Sequence, residues 1–440
     1  MLGNSGEMVL VLSKTMLRNF LVAGVGFGSA GAIGTVLVGA DASSATALSA
    51  VEEAAKDGTL DVAPVPEHVV EQVFRDGSAG FVATNFSYAL GPDAEGSTAC
   101  PRGLTGGIEA MTRAYAETPG GARREDESDR QFFGRISRAV GSTDDGRNIC
   151  MHPEAAGPDP TWQMVSNSVT VDGIDLDGSS SGASSANSCG QQDFSDDHGR
   201  SGIDNQFYRV IGCTSGFQSN AQGNEFEIEM LTGAWGILVT LDGVDSIYND
   251  PEVEVGIYAS ADPIQLSASR EPLAFASYAM KQEPKFRAVA RGRIVNGVLT
   301  SNPMDVGLVY TVNSMIHDRV LRDARVRLTF TPDGGLEGIL GGYTPVEAMY
   351  NVQFGARDGK TANGELAPER LRIGTSEGRS RALGYSCQGA YHAMYEAADG
   401  HPDPETGRCT SISTQYRIRL APAFVLDTET ASANSPLVSR

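Results

Sequence analysis

From Glu225 the chain alternates: Phe226, Ile228 and Met230 are apolar, and Glu225, Glu227 and Glu229 between them are charged. A two-residue period sets one face of a strand against a core and the other in water. The same period recurs in Ala324, Val326, Leu328 and Phe330, interleaved with Arg325, Arg327 and Thr329. It recurs again in Tyr416, Ile418 and Leu420, interleaved with Gln415, Arg417 and Arg419. Gly236–Leu241 is a continuous apolar run suited to a buried strand, and Val253–Tyr258 reads as another. Phe286–Ile294 and Val298–Thr300 flank Asn296-Gly297, the dipeptide of a type I′ turn, and predict a hairpin. Asp333-Gly334 predicts a second turn, leading into Leu336–Leu340. One helix, around Ala390–Ala398, interrupts the strands.

The first 160 residues differ. Glu52–Lys56 and Glu67–Arg75 read as short helices split by Pro64 and Pro66. Leu104–Glu117 and Asp129–Val140 read as amphipathic helices, joined by Gly120, Gly121 and the charged run Arg123–Asp129. Many short strands with turn signals predict a mainly β fold, a β-sandwich or a partly open barrel. A smaller helical or irregular N-terminal region precedes it. The expected organisation is an N-terminal segment over 1–42, the helical or irregular region over 43–160, the β-rich domain over 161–426 and a polar tail over 427–440.

The N-terminal segment has its own pattern. Lys14 and Arg18 precede an apolar run from Phe20 to about Ala40, and Ala40-Asp41-Ala42 is a small-x-small cleavage site. Ala45-Thr46-Ala47 is a second candidate site. This is the form of a signal peptide, so the chain is expected to be periplasmic or extracellular. An uncleaved anchor is the alternative, since about 20 apolar residues span a bilayer. Gly26, Gly28 and Gly31 also match GxGxxG. A dinucleotide site needs that motif inside a βαβ unit, and the downstream pattern does not alternate strands with helices. No nucleotide or haem cofactor is expected.

Composition adds a strong acidic bias, with a net charge of −21. Removing residues 1–42 leaves it unchanged, because Lys14 and Arg18 balance Glu7 and Asp41. Such a surface repels nucleic acid and anionic membrane. No nucleic-acid partner is expected, and membrane contact only through an uncleaved N-terminal segment. The charge suits a bound cation, a basic partner or plain solubility. Six cysteines, Cys100, Cys150, Cys189, Cys213, Cys387 and Cys409, include no CxxC pair. In an exported chain they are expected to form disulfides. Short loops close most readily, which favours Cys100–Cys150, Cys189–Cys213 and Cys387–Cys409.

The candidate chemistry concentrates in 172–204, which holds Asp172, Asp175, Asp177, Asp193, Asp196, Asp197 and Asp204. Asp175-Leu176-Asp177-Gly178 and Asp196-Asp197-His198-Gly199 set carboxylates beside turn glycines. Calcium takes six to eight oxygens from such groups on tight loops, so these seven aspartates are the candidate metal ligands. The spacing is not that of an EF-hand, and a solvated acidic loop stapled by Cys189 is the competing explanation. A second acidic patch, Asp242, Asp245, Asp250, Glu252 and Glu254, surrounds a turn at Asn249-Asp250-Pro251 and reads first as a hairpin end.

Other motifs are weaker. Gly178–Gly182 and Gly374–Gly378 both match GxSxG. The second follows Leu371–Ile373, a candidate strand, but no aspartate separates Ser376 from His392 and too little chain follows for a hydrolase sheet. His392, His401 and Asp403 form another conceivable site, against structural roles for each. Trp235 reads as core rather than as a sugar platform.

Gly202–Gln206 followed by Cys213-Thr214, and Ala398–Gly407 followed by Ser411–Tyr416, resemble uncharacterised exported proteins of proteobacteria. The likeness spans most of 145–426. It implies export and assigns no residue a role. Two functional classes remain. The first is an exported, disulfide-stabilised β-rich binding or structural protein with an unknown protein or glycan partner and a calcium site. The second is a secreted calcium-dependent hydrolase acting on a polysaccharide or ester through paired carboxylates such as Asp242 and Asp245. Absence of a recognisable triad, metal triad or phosphate loop favours the first.

Overall fold

The computed structural model describes residues 63–92, 98–179, 188–218, 230–231, 235–312, 315–357 and 359–428. The N-terminal segment, Glu52–Lys56, the alternation over Glu225–Glu229 and nearly all of the polar tail lie outside these residues. Eight strands form the body of the molecule: β1 (Ala79–Tyr88), β2 (Ile237–Asp242), β3 (Asn249–Ala259), β4 (Arg287–Val295), β5 (Val298–Ser301), β6 (Met315–Phe330), β7 (Leu336–Pro345) and β8 (Cys409–Leu426). Each pairs antiparallel with the next in chain order. β8 then pairs antiparallel with β1, which closes the ring. The fold is therefore a closed up-and-down barrel, mainly β as the periodicity predicts, and neither sandwiched nor partly open.

Closure recruits a strand from the stretch expected to be helical or irregular. β1 joins β2 to β8, with Phe81 facing both Val239 and Pro422 in register. Inward residues fill the barrel, as the interior of an eight-stranded ring requires. One transverse interior row runs Phe86, Ile418, Gly338, Leu328, Leu299, Ile294. Its side-chain-bearing members are all buried in a single apolar cluster. Gly338 occupies the crowded place: a Cβ there would lie 2.1 Å from the Arg327 carbonyl oxygen. The next row faces outward and is polar except at Ile339, which is covered: Ser87, Arg417, Ile339, Arg327, Thr300, Arg293. The alternation seen in sequence is this in–out alternation.

The two predicted hairpins form. β4 and β5 turn at Asn296 and Gly297, whose φ angles of 51° and 80° are those of a type I′ turn. β6 and β7 turn at Asp333 and Gly334. Before its barrel half, β6 pairs with a further strand, Met304–Val312.

Seven helices surround the barrel among the described residues: α1 (Glu67–Val73), α2 (Gly107–Ala116), α3 (Asp129–Val140), α4 (Gln206–Ile211), α5 (Val346–Phe354), α6 (Ile373–Leu383) and α7 (Cys387–Ala397). α3 starts where the sequence says because Ser128 and Gln131 make a reciprocal capping box, each side chain accepting the other's backbone N–H. α5 and α7 pack near the end of the barrel where β7 finishes and β8 begins, with Tyr350, Phe354 and Met394 continuing its apolar core. Among the described residues no helix is long and apolar enough to cross a membrane.

Three disulfides form, and none of the short-loop pairings occurs. The bonds are Cys100–Cys213, Cys150–Cys387 and Cys189–Cys409, closing 113, 237 and 220 residues of chain. Loop-closure entropy describes the unfolded chain. The native partner is whichever cysteine the fold brings within bonding reach, and here the Cα atoms stand 5.7, 5.0 and 6.2 Å apart. Cys150–Cys387 ties the helical N-terminal region to the first residue of α7. Cys189–Cys409 ties the acidic loop to the first residue of β8.

Candidate metal centre

Three of the seven aspartates converge. Ligand oxygens of Asp175, Asp177 and Asp204 lie within 4.8 Å of one another. The loop before Gly178 wraps around Asp204, whose Oδ2 accepts the backbone N–H groups of Leu176 at 2.6 Å and Asp177 at 3.3 Å. Turn geometry holds the other two. Gly178 donates its N–H to Asp175 Oδ1 at 2.6 Å, and its own φ of 79° allows the bend. Asp177 accepts from the Ser179 N–H at 2.7 Å and from the Ser188 hydroxyl at 2.6 Å.

The cluster sits on the outer face of β7 and β8. Gln415 of β8 donates through Nε2 to the Ile174 carbonyl at 2.8 Å and the Asp204 carbonyl at 2.7 Å. Behind it lies Asp399, only 3% exposed. Asp399 Oδ1 accepts the Ser413 N–H at 2.7 Å, and its carbonyl accepts the Cys189 N–H at 2.8 Å. Asp399 Oδ2, Gln415 Oε1 and the Tyr343 hydroxyl are buried with no hydrogen-bond partner among the described residues. Buried acceptors are ordinarily satisfied, so three oxygens left over around a carboxylate group mark it as incomplete.

Electrostatics point the same way. Burial pushes the Asp204 carboxyl up to about 9, helped by the charges of Asp399, Asp177 and Asp193. Burial likewise raises Asp399 to about 7 and lifts Asp175 above the ordinary carboxylate range. Tyr343 is raised by burial and then by Asp204, Asp399 and Asp177. Positive charge is scarce: Arg325 acts on Asp175, and Arg209 faces Asp193 and Asp399. Arg209 is itself tied to Gln206 Oε1 and the Gln192 carbonyl, both at 2.6 Å. These three carboxylates could hold a metal ion, and an all-oxygen set of this kind favours a hard cation.

The remaining predicted ligands stand elsewhere. Asp172 pairs with Arg327 at 2.8 Å and Arg200 at 3.6 Å. Asp196 is buried on Arg200, accepting from that residue's side chain and, at 2.8 Å, its backbone N–H. Asp197 is at the surface, 3.5 Å from His198 Nε2. Asp193 acts on the cluster through its charge. Asp399, Gln415 and Tyr343 carried no metal signal in sequence. They lie in separate strands and loops, and only the strand register carries them to the acidic loop.

The other motifs take structural roles. Ser376 is fully buried inside α6, and its hydroxyl donates to the Phe354 carbonyl at 2.9 Å, so the residue sits on no nucleophile elbow. His392 Nε2 contacts the Ala156 carbonyl at 2.6 Å, and Asp403 Oδ1 accepts the N–H groups of Glu405 and Thr406 in its own loop. Asp250 is 4% exposed and caps the turn through the N–H groups of Asp245, Ser246 and Glu252, which makes the second acidic patch a hairpin end. Trp235 is core, against Phe86 and Tyr310. No protein-family model, curated protein or solved structure matches the chain.

Proposed function

We propose that this chain is an exported, disulfide-stabilised β-barrel protein that binds calcium at Asp175, Asp177 and Asp204 and serves a binding role toward a protein or glycan partner. The observation that carries the reading is the buried Asp399 oxygen without a hydrogen-bond partner beside that carboxylate group. A buried anion in this setting is costly unless a cation or proton compensates it. Calcium would take oxygens from the three carboxylates and draw Asp204 to its ionised form. The disulfides support an oxidising compartment, consistent with the signal-peptide pattern.

Thermal melting in chelator and in millimolar calcium tests the proposal. Calcium is expected to raise Tm, since a ligand at 100 times its Kd stabilises by about 2.7 kcal/mol. Asp204→Asn is expected to abolish the rise. Identical melting of the unaltered protein in both conditions would overturn the reading.

A further inference from the structure

Beside the acidic loop, the outer barrel face carries a second, oppositely charged feature. Arg291 and Arg293 project from β4, and Arg325 and Arg327 from β6, with Thr300 and Asn302 between them. The register places Arg293, Thr300 and Arg327 in one transverse row, and the Asn302 N–H donates to the Arg291 carbonyl at 2.7 Å. Neighbouring strands lie about 4.8 Å apart and alternate residues about 7 Å apart. The four arginines therefore frame a rectangle of roughly 7 by 10 Å at their backbones. Arg200 of the acidic loop closes one wall, and the residues line a cleft of about 780 Å³.

In a chain of net charge −21, this cleft is lined, among the described residues, by five arginines and two acids, Asp175 and Glu252. Three of the arginines have carboxylate partners: Arg327 on Asp172, Arg200 on Asp196, and Arg291 on Glu252 at 3.0 Å. The side chains of Arg293 and Arg325 make neither a hydrogen bond nor an ion pair among the described residues, although Arg325 acts on Asp175 through its charge. Arg325 Nε and Arg200 Nη1 are moreover buried without a partner, although Arg200 as a whole is only 8% exposed. Solvated surface arginines would not be gathered in a concave site with buried donors left over.

We propose that this cleft binds a short oligoanion carrying two or more carboxylate or phosphate groups, with Arg293 and Arg325 as its principal anchors. Guanidinium forks match both groups bidentately. Thr300 and Asn302 lie between the anchors, where hydroxyls of a sugar or polyol ring can hydrogen-bond. Among the described residues no aromatic side chain lines the cleft, so they offer nucleobases no stacking surface. The net charge repels long polyanions, which restricts the ligand to a short one. The proposal goes beyond the calcium reading and stands without it.

Titration calorimetry in chelator, at low and at high salt, tests it with three probes. Trigalacturonate presents carboxylates on a sugar, inositol hexakisphosphate presents phosphates on a ring, and inorganic phosphate presents a single group. One or both of the first two are expected to bind one to one, more tightly than inorganic phosphate, and to weaken with salt. The double variant Arg293→Ala/Arg325→Ala is expected to weaken that binding at least tenfold in protein that circular dichroism shows to be folded. Arg130→Ala on α3 serves as the control and is expected to change nothing. Binding of only one of the two oligoanions identifies the source of the charged groups. Absence of binding by both, inorganic phosphate binding as tightly, or an unaltered affinity in the double variant overturns the proposal.

Discussion

Asp399 lies close enough to Asp204 that, after burial, its charge is the largest influence keeping the Asp204 carboxyl protonated. Asp399 immediately precedes the short strand Gly400–Pro402, which pairs with the head of β8, and Asp204 closes the acidic loop, yet Gln415 and the Cys189–Cys409 bond fasten both segments to the same barrel face.

This pairing fixes the direction of a pH dependence. Both carboxyls have folded pKa values, about 9 and about 7, above the ordinary value near 4. Their contribution to stability is therefore full below about pH 4, erodes as pH rises, and is gone once pH passes the folded values. The chelated protein is expected to lose Tm between pH 5 and 9, and calcium to remove most of that loss. Asp204→Asn in chelator is expected to flatten the slope. Calorimetric scans across this range check it; a parent slope as shallow as the variant's contradicts the assignment.

The Cys189–Cys409 bond is expected to serve the same site. Ser188 donates to Asp177, and Cys189 to the Asp399 carbonyl, so the cross-link holds the Asp177 and Asp399 segments in place. Cys189→Ser/Cys409→Ser is expected to lower stability by about 2–4 kcal/mol. It should also weaken calcium binding, measured by calorimetry on variant still folded at low temperature. Undiminished affinity would separate the disulfide from the site.

Inside the barrel, Phe86 is fully buried and stacks on Tyr416 with ring centroids 4.4 Å apart. Phe86→Ala is expected to cost about 3–5 kcal/mol in urea unfolding, from lost burial and the cavity left behind. A cost below about 1 kcal/mol would be incompatible with that packing.

At the β4–β5 turn, Gly297 has φ 80°. Gly297→Val is expected to destabilise by about 1–2 kcal/mol, because a Cβ crowds the following carbonyl in this region. Gly297→Asn is expected to cost less, since asparagine tolerates the conformation. Equal unfolding midpoints for the two variants would argue against a type I′ turn.

The strands of β4, β5, β6 and β8 were legible because each buries one face, and that requirement writes a two-residue period into local sequence. α3 was legible for a related reason: its cap and its amphipathic face lie within a few residues of each other. β1 was not, since Phe81, Val82 and Ala83 are buried in succession and break the two-residue period in the first half of Ala79–Tyr88. The acidic loop announced carboxylates, but could not say which of the seven would meet, because Arg200 of the same loop claims Asp196 and Arg327 of β6 claims Asp172.

By itself, then, the sequence determined the mainly β class, both hairpins, the capped helix and the loop from which the acidic cluster is drawn. These are local matters, decided by neighbours within a turn or a strand. Tertiary structure alone decided that the ring closes through β1 and β8, which cysteines join, and that Asp399, Gln415 and Tyr343 stand beside Asp204. Each of those depends on the register between segments far apart in the chain, and no periodicity of a single segment encodes its partner.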